Sequence, residues 1–126
     1  LEGALGDDEV EQHLTATYGP DAVWLLAYVE ENPALGERIV PDLPYLMAEA
    51  VYAVQHEMAL TLPDVLIRRT HVIYEVDGGG IDRARAVAEV MAPRLGWDAG
   101  EIERQVGQYA EEVALTRAWR RESHAI

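Results

Sequence analysis

A group of polar residues between positions 49 and 69 has the types and spacing to do chemistry. Glu49, Tyr52 and His56 recur at i, i+3 and i+7, so a helix places them on one face, with Glu57 alongside. Asp64 stands one turn before Arg68, and Arg69 follows. A short turn between the two segments would bring these acids near those arginines. Arginine's planar fork suits such pairing, because it binds a carboxylate through two parallel bonds. One reading is an anion or substrate pocket. The preferred reading is a structural polar network of Glu49, His56, Glu57, Asp64, Arg68 and Arg69 that fixes how two helices cross, since paired charges more often set geometry than perform reactions.

Other chemical motifs fail on spacing. His56-Glu57 starts like a metalloprotease helix, but the second histidine should fall at position 60, which is Leu60. The other histidines, His13, His71 and His124, have no partner at ligand spacing. No metal ligand set is therefore assigned. Gly78-Gly79-Gly80 follows an apolar run, yet the dinucleotide fingerprint needs a further glycine where Arg83 stands. No GK[ST] triplet follows, which excludes a phosphate-cradling P-loop. Ser123 is the only serine and there is no cysteine, so neither nucleophile is available. Glu30-Glu31 and Glu111-Glu112 read as solvated faces. No catalytic and no cofactor-binding residue is assigned.

Composition narrows the partners. Twenty-three Asp and Glu oppose ten arginines in 126 residues, for a formal net charge of −13. That field repels nucleic acids and anionic lipid headgroups. No stretch has the length and apolarity of a membrane span, so direct membrane insertion is not expected. The start, Leu1-Glu2-Gly3-Ala4, lacks the basic and apolar regions of a signal peptide and reads as a chain beginning partway through something larger.

These residues must be positioned by helices. Asp7 and Asp8 suit the positive end of a first helix, with Val10, Leu14 and Tyr18 at helical spacing and Gly19 as its stop. Pro20 opens a second, whose apolar stripe is Val23, Trp24, Ala27 and Tyr28, ending before Asn32-Pro33. Ala34 to Pro41 reads as a linker. Asp42 is a candidate N-cap of the third helix, with Pro44 in its first turn. Leu46, Met47, Ala50, Val51, Val54 and Met58 form its apolar face. Thr61 and Asp64 form a variant capping box. His71 to Val76 has strand propensity but no partner strand, so an irregular connection is expected. Asp82 begins a helix with Ala84, Val87, Val90, Met91 and Leu95; Pro93 should kink or shorten its last turn, and Gly96 ends it. Asp98 and Glu101 form a second capping box. It opens the longest helix, with Ile102, Val106, Tyr109 and Val113 on one face. The expected fold is all-α, a small bundle of five to six helices with short connections. Residues 1–7 read as a linker or added remnant, 8–120 as the domain and 121–126 as a frayed tail.

The same segments carry a family resemblance. Leu43-Pro44-Tyr45-Leu46, Glu49, Val51-Tyr52-Ala53-Val54, His56-Glu57-Met58-Ala59, Thr61-Leu62, Asp64-Val65-Leu66 and Arg68-Arg69-Thr70 resemble the C-terminal domain of the FAD-dependent glycerol-3-phosphate dehydrogenase and alpha-glycerophosphate oxidase family. Tyr18-Gly19, Ala88-Glu89-Val90-Met91 and Leu95-Gly96-Trp97 are similar too. The resemblance implies a parent enzyme that oxidises sn-glycerol 3-phosphate to dihydroxyacetone phosphate. FAD takes the hydride there, and electrons pass to quinone, or to oxygen in the oxidase branch. It implies that FAD and the catalytic residues belong to other domains of the parent chain, that none is bound or supplied by this segment, and that those FAD and substrate domains are its partners. A homo-oligomer is compatible with it. It also implies a cytoplasmic domain of a parent that can sit peripherally on the inner face of the cell membrane. The alternative is a free-standing acidic helical interaction module.

Overall fold

The computed structural model describes residues 5–75 and 77–124. The chain is all-α and divides into two compact units, residues 1–58 and 59–126.

In the first unit, α1 spans Asp8–Tyr18. Asp7 caps it, accepting the Val10 N–H at 3.3 Å, and Asp8, Glu9 and Glu11 complement the helix dipole. Residues 5 and 6 are also tied in, since their N–H groups donate to Glu11. Val10 and Leu14, one turn apart, form the buried stripe. Gly19, at φ 55 and ψ −130, ends the helix in a conformation that a side chain disfavours. A 3₁₀ turn, Gly19–Asp21, leads into α2, Ala22–Glu31.

The buried face of α2 is Ala22 and Leu25, not the stripe expected from the sequence. Val23 and Trp24 are 63% and 50% exposed. Residues 22–29 are apolar nearly all round, so periodicity alone could not choose the inward side. Asn32 then caps a 3₁₀ turn, Pro33–Gly36, which buries Leu35.

The third helix, α3, spans Met47–His56 and starts later than Asp42 and Pro44 suggest. Residues 37–47 fold back on themselves first. Ile39 donates to the Tyr45 carbonyl at 2.7 Å, Met47 donates to that of Glu37 at 2.9 Å, and Arg38 and Leu46 form an isolated antiparallel bridge. Ile39 and Val40 are thereby buried. The cap comes from inside the helix, where Glu49 accepts the Leu46 N–H at 2.7 Å. Ala48, Ala50, Val51 and Ala53 are fully buried, and their small size permits close approach of neighbouring elements. Met58 does not extend the apolar face: it lies beyond the helix, at φ 58 and 81% exposed.

In the second unit, Thr61 and Asp64 form the expected reciprocal box. The segment that it opens, Asp64–Arg69, is π-helical, closed by Thr70, whose N–H and hydroxyl both donate to the Val65 carbonyl. Val72–Glu75 is a single helical turn, α4, rather than an irregular connection. Val72 is buried, and Val76 lies outside the described residues. After a 3₁₀ turn, Asp77–Gly80, α5 spans Ile81–Leu95 and runs through Pro93 to Gly96 in the left-handed region. Asp98 accepts the Glu101 N–H at 2.8 Å at the start of α6, Ala99–His124. Ala84, Val87, Ala88 and Met91 of α5 and Tyr109 and Val113 of α6 are buried in this unit. The described part of α6 continues past the expected boundary at residue 120, with 125 and 126 outside it.

Candidate functional site

The polar residues singled out by spacing do gather partners, and the densest group is in the first unit. Glu49 is 2% exposed. A buried carboxylate is costly unless its oxygens are filled. Here His13 Nε2 lies 2.8 Å from Oε1, the Tyr18 hydroxyl donates to the same oxygen at 2.8 Å, and the Leu46 N–H donates to Oε2. The His13 Nδ1 faces the Thr17 hydroxyl at 3.3 Å. Burial, and then Glu49 beside it, push the Tyr18 hydroxyl well above the usual tyrosine range. A phenol so held keeps its proton. Two of the partners come from α1 and one from the start of α3, so the arrangement holds α1 to α3.

Around that carboxylate runs a continuous set of rings. Tyr18 meets Tyr52 edge-on with centroids 4.8 Å apart, and His13 meets Tyr45 at 4.9 Å. Tyr52 stacks on His56 at 4.5 Å, as their spacing one turn apart on α3 allows. Trp24 and Tyr28 of α2 reach the same histidine, at 5.3 and 6.3 Å. The Tyr28 hydroxyl lies 2.8 Å from both His56 Nε2 and Gln55 Oε1. Tyr52 donates to Asp21 at 3.2 Å. Burial, the bond to Asp21 and the nearby Glu57 raise the Tyr52 hydroxyl above its ordinary value.

In the second unit, Asp64 caps its own segment and accepts from Arg68 at 2.9 Å. Burial acts to raise the Asp64 carboxyl, but the bonds from Leu60 and Thr61 and the charge of Arg68 outweigh it and hold it below the ordinary value. Arg68 and Arg69 are both exposed. Arg85 of α5 grips Glu103 of α6 through both guanidinium nitrogens.

Sequence reasoning placed Glu49, Tyr52 and His56 on one helix face and set Asp64 one turn before Arg68 in a network expected to join two helices. In the structure Tyr52 stacks on His56 within α3, and Asp64 accepts from Arg68 within its own segment. That reasoning missed His13, Tyr18 and Tyr28. The signal for Tyr18 was its place at the end of α1, just before the Gly19 stop; nothing local pointed to His13 or Tyr28, whose partners are 36 and 28 residues away.

A groove of about 750 Å³ between α1 and α2 is lined by Asp8, Glu11, Ala16, Ala22, Val23 and Leu26 among others. Among the described residues no group of His, Asp and Glu is placed to hold a metal ion, and no helix is long and apolar enough to cross a membrane. The glycine turn before α5 does not fit a dinucleotide. It follows a helical turn instead of a strand, and Asp82 opposes phosphate in the first turn of α5.

A family model described as the C-terminal domain of alpha-glycerophosphate oxidase matches residues 4–102, spanning α1 to the first residues of α6. The chain belongs to that family. Individual relatives extend the observation. A glycerol-3-phosphate dehydrogenase of Synechocystis is 38% identical over 100 residues, covering 79% of this chain and 18% of the relative. Glycerol-3-phosphate dehydrogenase 2 of Mycobacterium tuberculosis is 42% identical over 102 residues, covering 81% and 17%. The bovine mitochondrial glycerol-3-phosphate dehydrogenase is 34% identical over 104 residues, covering 79% and 14%. The chain thus spans less than a fifth of the length of these relatives. No solved structure matches the chain. The residues that build the Glu49 centre, from His13 to His56, all fall inside the matched range, whereas most of α6 lies beyond it.

Proposed function

We propose that this chain is the helical accessory domain of an FAD-dependent glycerol-3-phosphate dehydrogenase. The parent oxidises sn-glycerol 3-phosphate to dihydroxyacetone phosphate and passes the electrons to a quinone. The single observation that carries this reading is the match of about four fifths of the chain to less than a fifth of each dehydrogenase. In this reading the flavin and substrate domains of the same parent chain are the partners, and they hold the FAD. In this reading the chain supplies no residue to the reaction. Glu49, His56, Glu57, Asp64, Arg68 and Arg69 act structurally: they seat and cap helices. The domain is cytoplasmic, and the parent binds the inner face of the membrane peripherally through other parts.

Two measurements test this. The genomic reading frame should run upstream of Leu1 through a G-x-G-x-x-G fingerprint that follows a strand; a frame opening at Leu1 overturns the reading. The 126-residue chain, given FAD, glycerol 3-phosphate and a dye acceptor, should reduce no dye above background.

A further inference from the structure

The first unit has a charge distribution that its own residues cannot balance. Residues 1–58 hold twelve Asp and Glu but a single Arg, Arg38. That arginine is already engaged, bridging Asp7 at 2.9 Å and Glu9 at 2.8 Å and donating to the Pro41 carbonyl. Into this acidic surface the outer side of α2 and the end of α3 set an aromatic array. His56 is its centre, with Tyr52 stacked on it and Trp24 and Tyr28 tilted against it. Trp24 is half exposed, and His56 is exposed. Asp21 accepts from the hydroxyl of Tyr52, which lies buried beneath the array.

Single exposed aromatics are ordinary, but a joined set of rings bordered by carboxylates has a definite complement. The faces of such rings carry partial negative charge and attract cations, tryptophan most strongly. Neighbouring carboxylates add charge and bidentate acceptors. The group that satisfies both demands is a guanidinium, which is planar, weakly hydrated and able to stack while it hydrogen-bonds; an ammonium is compact and strongly hydrated and can do only the first in part. A phosphate or anionic lipid is repelled by the same field.

We propose that the Trp24, Tyr28 and His56 face, backed by the buried Tyr52 and bordered by Asp21, is a docking surface for an arginine side chain presented by a partner polypeptide. The inference goes beyond the dehydrogenase reading and does not depend on it, because any arginine-bearing protein surface meets the requirement.

The test uses the whole chain and peptide probes, at about pH 8, where histidine is ordinarily neutral. An oligo-arginine peptide and an oligo-lysine peptide of equal length are titrated by calorimetry at moderate salt. The arginine peptide should bind about tenfold more tightly, the size of a partly desolvated cation–π contact. Trp24→Leu should remove that tenfold difference while leaving the weak, salt-sensitive binding common to both peptides. Because Trp24 is half exposed, the variant should keep its far-ultraviolet circular dichroism, which shows that the loss is local. A spectrum that changes is answered by Tyr28→Leu, for which the same loss of preference is expected. Equal affinity for the two peptides, no binding of either, or an arginine preference that survives these substitutions would each overturn the proposal.

Discussion

Replacing Tyr18 by Phe removes one oxygen and leaves the ring in place against Tyr52 and His13. The lost group donates at 2.8 Å to a carboxylate that is 2% exposed. A hydrogen bond to a charged acceptor contributes about 1.5–3 kcal/mol, and the lower half of that range applies here because Tyr18 itself is only half buried. The expected loss is therefore about 2 kcal/mol. For a chain of this size it lowers the thermal midpoint by roughly 5–10 °C. Trp24 is the only tryptophan before residue 58, so its fluorescence in a Trp97→Phe, Trp119→Phe background reports the first unit alone. Urea melts followed that way should show a lower midpoint at unchanged slope. The pH dependence should change as well. The Tyr18 hydroxyl titrates higher in the folded chain than in the unfolded one, so its contribution is whole below about pH 10 and is lost as pH rises beyond. Tyr18→Phe should flatten that alkaline decline. A loss below about 0.5 kcal/mol would mean instead that Glu49 does not need this donor.

Other substitutions test other parts of the account. Glu49→Ala strands the Leu46 N–H and two further donors, and should cost about 3–5 kcal/mol in the same melts. Leu14→Ala, at a fully buried position, should cost about 3–5 kcal/mol through the cavity it leaves. Gly96→Ala meets no atom within 4 Å, so its cost of about 1–2 kcal/mol should come from the left-handed backbone at φ +71 alone. Asp64 is held below its ordinary value by its cap bonds and Arg68, so its contribution is present above the unfolded-state value and is lost as pH falls through the folded one; Asp64→Asn should flatten the acid limb of the stability curve.

The caps and stops were legible because they are local. Asp7, Gly19, Asp98 and Gly96 act within four residues of themselves, and the structure uses each as its chemistry suggests. The start of α3 was not legible, because the bonds that delay it join residues 37–39 to 45–47, a fold-back with no periodic signature. Nor was the inward face of α2, where an apolar run leaves no stripe to read. Of the Glu49 centre, spacing gave the α3 half. The other half comes from α1 across tertiary distance, and a carboxylate's need for donors does not name which residues will meet it.

The central claim is that this chain is the C-terminal piece of a glycerol-3-phosphate dehydrogenase. The most direct measurement replaces the corresponding segment of the Mycobacterium tuberculosis relative, 42% identical to it, with this chain. Dye reduction driven by glycerol 3-phosphate is then compared among the intact relative, the relative lacking the segment, and the hybrid. Removal should lower the yield of active flavoenzyme and the hybrid should recover it, with Glu49→Ala in the hybrid reversing the recovery. A hybrid as defective as the truncated enzyme, although the grafted chain is folded, would contradict the claim.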